Sequence, residues 1–158
     1  MLNVSAKNLS MILISLLLVS QWKVPALTIA YFKPGIYRKR IILQGVRAVF
    51  AEGAVVLGDI IVNNTEVEII GGSFKSRIII LNSSARVTRA KFELCEIRAE
   101  GSTVKMEDVE VIKSRLLMSN STLLMHKARA ANSTLRLLRT DVKIESSLIS
   151  SITVIGSS

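Results

Sequence analysis

The stretch VKMEDVEVIKSRLLMSNSTLLMHKARAANSTLRLLRTDVKI, residues 104–144, contains the same short pattern three times, and the residue number rises by 19 from each copy to the next. Each copy begins with two apolar residues separated by a single residue. The pairs are Val104 and Met106, Leu123 and Met125, and Val142 and Ile144. A fixed period of about 20 residues is typical of a solenoid, and the alternation is typical of a strand with one buried face.

Six positions of each period are apolar. Repeats that begin at Ala85, Val104, Leu123 and Val142 have 22 apolar residues in the 24 places at offsets 0, 2, 5, 7, 12 and 14. An apolar content of 49% would give about 12 by composition alone. The 16 places at offsets 1, 3, 4 and 11 hold one apolar residue, Leu124. Each repeat therefore contains three short two-sided strands.

The same pattern extends toward the N-terminus with slightly irregular spacing. The interval is 18 from Val67 to Ala85, whereas it is 19 from Ile78 to Ile97. One residue is therefore missing from the earlier repeat, and we place the deficit at Gly71–Gly72.

These repeats predict an all-β fold, a right-handed parallel β-helix (solenoid) of about six coils with 18–19 residues per coil, after an N-terminal hydrophobic segment. Stacking at about 4.8 Å per coil gives a rod of about 29 Å, and parallel crossovers favour the right hand. We expect three parallel sheets around an aliphatic core, because aromatic residues make up only 4% of the chain. The three pairs quoted first form the predicted core ladder.

We divide the chain into residues 1–30, a signal peptide or membrane anchor, residues 31–40, a basic linker, and residues 41–158, the solenoid. Residues 11–19 are apolar throughout, which fits a secretory signal cleaved after Ser20 or Ala30. Alternatively residues 9–32 form an uncleaved anchor, and the basic residues after it then keep the solenoid in the cytoplasm. A third interpretation makes the segment a cap helix on the first coil.

Charge is concentrated near the N-terminus, although the whole chain carries +9. Residues 1–51 contain seven basic and no acidic residues, so the remaining chain is nearly neutral. The repeats lack a basic stripe interleaved with aromatic residues, and we therefore predict no nucleic-acid partner. The lone cysteine, Cys95, is predicted to be a small buried residue.

Turn residues recur between the strands and create sequence motifs for glycosylation. Asn and Gly tolerate left-handed backbone, and Ser or Thr hydroxyls satisfy turn amides. The possible acceptors of the N-x-S/T type are Asn63, Asn82, Asn120 and Asn132. In an exported protein they would carry glycans, and otherwise they serve the turns alone.

Ladders of charge are predicted on the outer surface. His126 stacks between Glu107 and Glu145, which indicates either a metal or acid–base site or a polar ladder, and we favour the ladder. A second ladder contains Arg89, Asp108 and Lys127, with alternating sign. In a third, Arg98 and Arg136 flank Leu117. Such rows guide the register of the coils more than they form a site.

A carbohydrate-cleaving enzyme on this fold would need clustered carboxylates. Glu107, Asp108 and Glu110 are the densest acidic group, but alternation sends Glu107 and Glu110 to the outer faces of different strands. The chain has no aromatic residue after Phe92 to stack on sugars. We predict no catalytic residue, no metal and no cofactor.

By its repeat period, the segment 41–158 resembles the right-handed β-helix superfamily of pectin-lyase-like proteins and their non-catalytic surface relatives. The residues 53–60, GAVVLGDI, are similar to the G-x-V-x-G-D-I phrase of bactofilins, which are polymerising bacterial scaffold proteins. The first resemblance implies a surface module, and the second implies end-to-end assembly.

The leading hypothesis is a non-enzymatic structural or adhesive module, secreted or displayed at the cell surface, with a possible glycan ligand. The first alternative is a membrane-tethered scaffold that contacts the membrane through residues 9–32 and polymerises through open solenoid ends, because the last repeat stops without a cap helix. The second alternative is a polysaccharide-active enzyme.

Overall fold

The computed structural model describes residues 28–149 and 152–157 of the 158-residue chain, and all regular structure within them is β-strand. In chain order the strands are β1 (Thr28–Phe32), β2 (Gly35–Tyr37), β3 (Ile41–Leu43), β4 (Val46–Val56), β5 (Ile60–Asn63), β6 (Glu66–Phe74), β7 (Arg77–Leu81), β8 (Ser84–Thr88), β9 (Lys91–Glu93), β10 (Glu96–Glu100), β11 (Thr103–Glu107), β12 (Glu110–Ile112), β13 (Arg115–Ser119), β14 (Thr122–His126), β15 (Arg129–Ala131), β16 (Ser133–Leu138), β17 (Asp141–Glu145), β18 (Leu148–Ile149) and β19 (Ile152–Ser157). The predictions about residues 1–27 lie outside the described residues.

The strands stack in parallel at the predicted interval. Met106 pairs with Met125, and Met125 pairs with Ile144, so each step of the ladder is one full period of the sequence. The sheet β19-β16-β13-β10-β7-β5-β3 takes one strand from every winding, so six parallel steps separate its ends. The all-β parallel solenoid of about six coils is therefore confirmed, while its right-handedness stays a prediction.

The described strands form two sheets, and the expectation of three was wrong. The first and second strand positions of each winding share one 12-stranded sheet, and the third positions form the 7-stranded sheet. The cause is that β4 and β6 continue around the corner that later windings break into two strands. Gly71 permits this in β6, because it has φ +75° and an added Cβ would overlap the Phe50 carbonyl oxygen.

The solenoid begins earlier in the chain than predicted. β1 pairs with β4 from Thr28↔Val46 to Phe32↔Phe50, and β2 pairs with the end of β4. Residues 31–40 are therefore part of the first winding, and the basic linker was wrong. The basic residues of this stretch concealed its alternation, in which Phe32 and Tyr37 pack against the core.

The inward side chains form one continuous core. In the core ladder, Val104 and Leu123 are fully buried, and Met106 and Met125 are 2% exposed. Val142 packs against the core in the next winding, but Ile144 is 37% exposed. Burial therefore decreases at the last winding described, where the structure stacks no further strand on β17.

The core of the first windings contains a column of aromatic rings among aliphatic side chains, so the expectation of an aliphatic core was incomplete there. Phe32 stacks on Phe50 with ring centroids 4.3 Å apart, Phe50 meets Phe74 edge-on at 5.1 Å, and Phe74 stacks on Phe92 at 5.2 Å. Val111 takes the place of Phe92 in the following winding. All four phenylalanines of the chain lie in this one column, so the low overall aromatic content did not predict it.

Buried serines connect successive corners. Ser102 Oγ accepts a hydrogen bond from the Ser83 amide at 3.1 Å and donates to the Glu100 carbonyl at 2.7 Å. Ser114 and Ser133 repeat this arrangement at another corner. The prediction that Ser hydroxyls satisfy turn amides is thus confirmed, and these inward polar groups are paired at little cost.

The one-residue deficit lies at a corner and not at Gly71–Gly72. Phe74 pairs with Phe92, an interval of 18, whereas Arg77 pairs with Glu96, an interval of 19. The later winding inserts Leu94 in left-handed conformation, φ +56°. Gly71 and Gly72 occupy a corner that has the same number of residues as the corresponding corner of the next winding.

Candidate functional site

The described surface consists of regular faces and corners, which we name by position in the winding. The strand-1 face is the outer side of β8, β11, β14 and β17. The strand-3 face is the outer side of β7, β10, β13 and β16. Because stacked strands pair without offset along most of their length, outward residues one period apart form rows parallel to the solenoid axis.

His126 lies in a row of the strand-1 face between Glu107 and Glu145. These residues and Lys143 contribute to a shallow groove of about 220 Å³. Lys143 Nζ lies 2.8 Å from Glu145 Oε1, and hydrogen bonding to this ammonium lowers the pKa of Glu145. The geometry is that of an exposed polar ladder in which one carboxylate already has a basic partner.

The second predicted ladder lies at the corner after the strand-1 face. Arg89, Asp108 and Lys127 occupy equivalent turn positions with φ between +51° and +53°. Each backbone amide donates to the carbonyl of the next winding, as from Asp108 to His126 at 3.0 Å. These charged side chains therefore project from a turn whose hydrogen bonds are made by the backbone.

The densest acidic group does not converge. Glu107 ends β11, Asp108 occupies the corner, and Glu110 begins β12. Glu110 Oε1 lies 3.7 Å from Arg129 Nη1 on the neighbouring strand. The three carboxylates thus belong to three successive parts of the bend, which is not a pair facing a shared substrate position.

All four predicted glycan acceptors are exposed at the end of a strand or in a corner: Asn63, Asn82, Asn120 and Asn132. The last three have left-handed backbone, φ +46° to +50°, as expected for turn asparagines. In the earlier winding, Asn64 and not Asn63 takes this conformation. Exposure and turn geometry allow access to the side-chain amides.

A groove that the repeat pattern did not predict lies where β4 bulges. The register of β4 against β6 shifts between Phe50 and Val55, and the bulge 51–54 forms one side of a groove of about 580 Å³. Arg89 lies on its border. Its lining is mainly apolar and backbone, so it offers shape and one guanidinium but no set of reactive groups. The clustered glycines 53, 71 and 72 were the signal in the sequence.

The segment 53–60 ends at an ion pair. Asp59 Oδ2 lies 2.6 Å from Arg77 Nη2, and this hydrogen bond lowers the pKa of Asp59. Gly58 allows close backbone approach, because an added Cβ would overlap the Lys39 carbonyl. The described contacts of this segment are therefore structural.

Cys95 is a buried free thiol, as predicted. It takes a place in a row of serines between Ser76 and Ser114, and its Sγ donates to the Phe74 carbonyl oxygen at 2.9 Å. Burial raises the pKa of the thiol. Both effects disfavour the nucleophilic thiolate.

On the strand-3 face, Arg98 and Arg136 flank Leu117 in one row. Leu117 and Leu138 line a shallow groove of about 280 Å³ between the two guanidiniums. Both arginines are exposed, whereas Leu117 is half-buried. The arrangement combines positive charge with an apolar floor.

Within residues 28–149 and 152–157, no three His, Cys, Asp or Glu side chains are grouped so that they could hold a metal ion. The same residues include no helix with the length and hydrophobicity needed to cross a bilayer. Comparisons of the chain with protein-family models, with curated proteins and with solved structures found no match.

Proposed function

We propose that this chain is a non-enzymatic β-helix module with a structural or adhesive role, secreted or displayed at the cell surface. The main support is the unbroken core, in which each winding packs on the next from Ala48 to Leu135. Such stacking makes a stiff rod with long, regular outer faces, which suits a spacer or a binding surface. The separation of Glu107, Asp108 and Glu110 supports a non-enzymatic role.

The exposed asparagines and the apolar segment 11–19 support export. Signal cleavage after Ser20 would leave β1 intact, whereas cleavage after Ala30 would remove three of its five residues. N-terminal sequencing of native material should therefore give a mature chain that begins at Gln21. Recovery of the intact N-terminus from a cytosolic fraction would contradict this proposal.

A second candidate is a membrane-tethered scaffold that assembles end to end, as the resemblance of residues 53–60 to bactofilins implies. One observation favours it: Ile144 is 37% exposed although its stacked neighbour Met125 is 2% exposed. A further strand from a second copy would bury this inward side chain. Sedimentation at increasing concentration tests the idea, and a strictly monomeric chain would exclude it.

A further inference from the structure

The strand-3 face carries a zigzag of four arginines, one in each of four successive windings. We call Arg77, Arg98, Arg115 and Arg136 the arginine array. Arg77 and Arg115 share one row and Arg98 and Arg136 share the next, as the strand pairings show. Two arginines of one row are two windings apart, a distance of about 9.6 Å.

Most of the array lacks a partner for its charge. Arg77 pairs with Asp59, but Arg98, Arg115 and Arg136 are exposed and form no ion pair with a described residue. The other charged outward residues of this face are Glu96 and Glu100, and Asp59 already neutralises Arg77, so the remaining three arginines stand against two carboxylates.

The strand-1 face provides an internal comparison. Its basic residues are Arg86, Lys105 and Lys143, and its acidic residues are Glu107, Asp141 and Glu145. Equal numbers of opposite charges leave that face neutral when His126 is neutral. The excess of positive charge on the strand-3 face is therefore a local feature, and it consists of guanidinium groups alone.

We propose that the arginine array binds a linear anionic polysaccharide that lies along the solenoid axis. Guanidinium groups recognise sulfate and carboxylate oxygens with paired hydrogen bonds. The separation of Arg98 and Arg136 is comparable to the length of a disaccharide, so anionic groups on successive disaccharides reach both. Leu117 lies between them and contacts the C–H face of the intervening sugar. The inference rests on the proposed adhesive function and names its ligand class.

A single-stranded nucleic acid and an anionic lipid surface fit this face less well than a polysaccharide. The described strand-3 face presents no aromatic ring on which the bases of a single-stranded nucleic acid could stack. Leu117 is half-buried between the flanking arginines and Leu138 is 44% exposed, so this groove presents one projecting leucine, whereas insertion into a lipid interface needs a broad projecting apolar surface. A flexible, linear glycan can bind the arginine array through charge complementarity, and it needs neither aromatic rings for base stacking nor a projecting apolar surface.

The test uses the full chain and immobilised polysaccharides, heparin as the sulfated probe and polygalacturonate as the carboxylated probe. The array variant is Arg98→Gln/Arg136→Gln. The matched control is Arg86→Gln/Lys105→Gln, which removes the same charge from exposed outward positions of the strand-1 face. Circular dichroism establishes that both variants keep the fold of the parent.

Binding of at least one probe should weaken roughly tenfold in the array variant and less than about twofold in the control. The dependence of affinity on salt should also become shallower by about two released counterions in the array variant alone. Equal losses in both variants, no binding at low salt, or tighter binding to anionic vesicles or single-stranded DNA would overturn the inference. Failure of the proposed function would look different, because shortening of the polysaccharide during incubation would reveal an enzyme.

Discussion

Two adjacent leucines on β14 allow a matched test of which side chains hold the windings together. Leu123 points inward and is fully buried, between Val104 and Val142 of the neighbouring windings. Leu124 is the next residue, points outward and is half-buried. The variants Leu123→Ala and Leu124→Ala therefore remove the same atoms from opposite sides of one strand.

The expected costs differ severalfold. Leu123→Ala loses the transfer free energy of the side chain and leaves a cavity that paired strands on both sides keep open, so it should cost about 3–5 kcal/mol. Leu124→Ala removes partly exposed surface and should cost less than about 1 kcal/mol.

Equilibrium urea unfolding monitored by circular dichroism measures both free energies. A loss of about 3 kcal/mol corresponds to a melting temperature lower by roughly 6–12 °C in a chain of this size. Equal costs for the two variants, or a larger cost for Leu124→Ala, would refute the assignment of inward and outward faces.

Three further predictions concern single positions. Gly71→Ala should destabilise the protein by more than about 1 kcal/mol in urea unfolding, because its positive φ and the backbone beside it leave no place for a methyl group. Ser114→Ala should cost about 1–3 kcal/mol in the same assay, because it leaves the buried Cys95 amide without its acceptor. The lowered pKa of Asp59 means that its pairing with Arg77 stabilises the fold above the ordinary pKa of an aspartate, and this contribution is lost as the pH falls from that value through the lowered pKa. Unfolding between pH 7 and pH 3 should thus show a smaller acid dependence in Asp59→Asn than in the parent, and an unchanged dependence would contradict this pairing.

The repeat period made most of the solenoid predictable from the sequence. A pattern that returns at a constant interval identifies both the strand faces and the partner of each strand, as the pairing of Met106 with Met125 shows. The corners were also predictable, because Asn and Ser have specific roles in turns. Asn120 takes the left-handed conformation, and the neighbouring Ser121 Oγ accepts the Ser102 amide.

The irregular first windings were not predictable in the same way. The rings of Phe50 and Phe74 are in contact although these residues are more than one period apart in the sequence, since β4 has extra residues between Phe50 and Val55 relative to β6. The repeat period does not reveal this contact, because the bulge lengthens the sequence interval between Phe50 and Phe74 while both rings stay in the core.

The arginine array illustrates a second limit of the sequence. Its members alternate between two rows, so no single interval connects all four. The row with Arg98 and Arg136 was visible as one ladder, but Arg77 and Arg115 become neighbours of that ladder only when the strands are stacked. The neighbours of an outward residue in other rows can be identified only from the three-dimensional register of the strands. The inward residues of the core, in contrast, are identified by a single interval in the sequence.

The distance between outward residues one, two and three periods apart tests the stacked windings most directly. Arg86, Lys105, Leu124 and Lys143 form one row. In a Cys95→Ser background, pairs of nitroxide labels at residues 86 and 105, 86 and 124, and 86 and 143 can be compared by electron paramagnetic resonance. The mean separation should increase by about 4.8 Å for each added period. Separations that do not grow in equal steps would contradict the parallel solenoid.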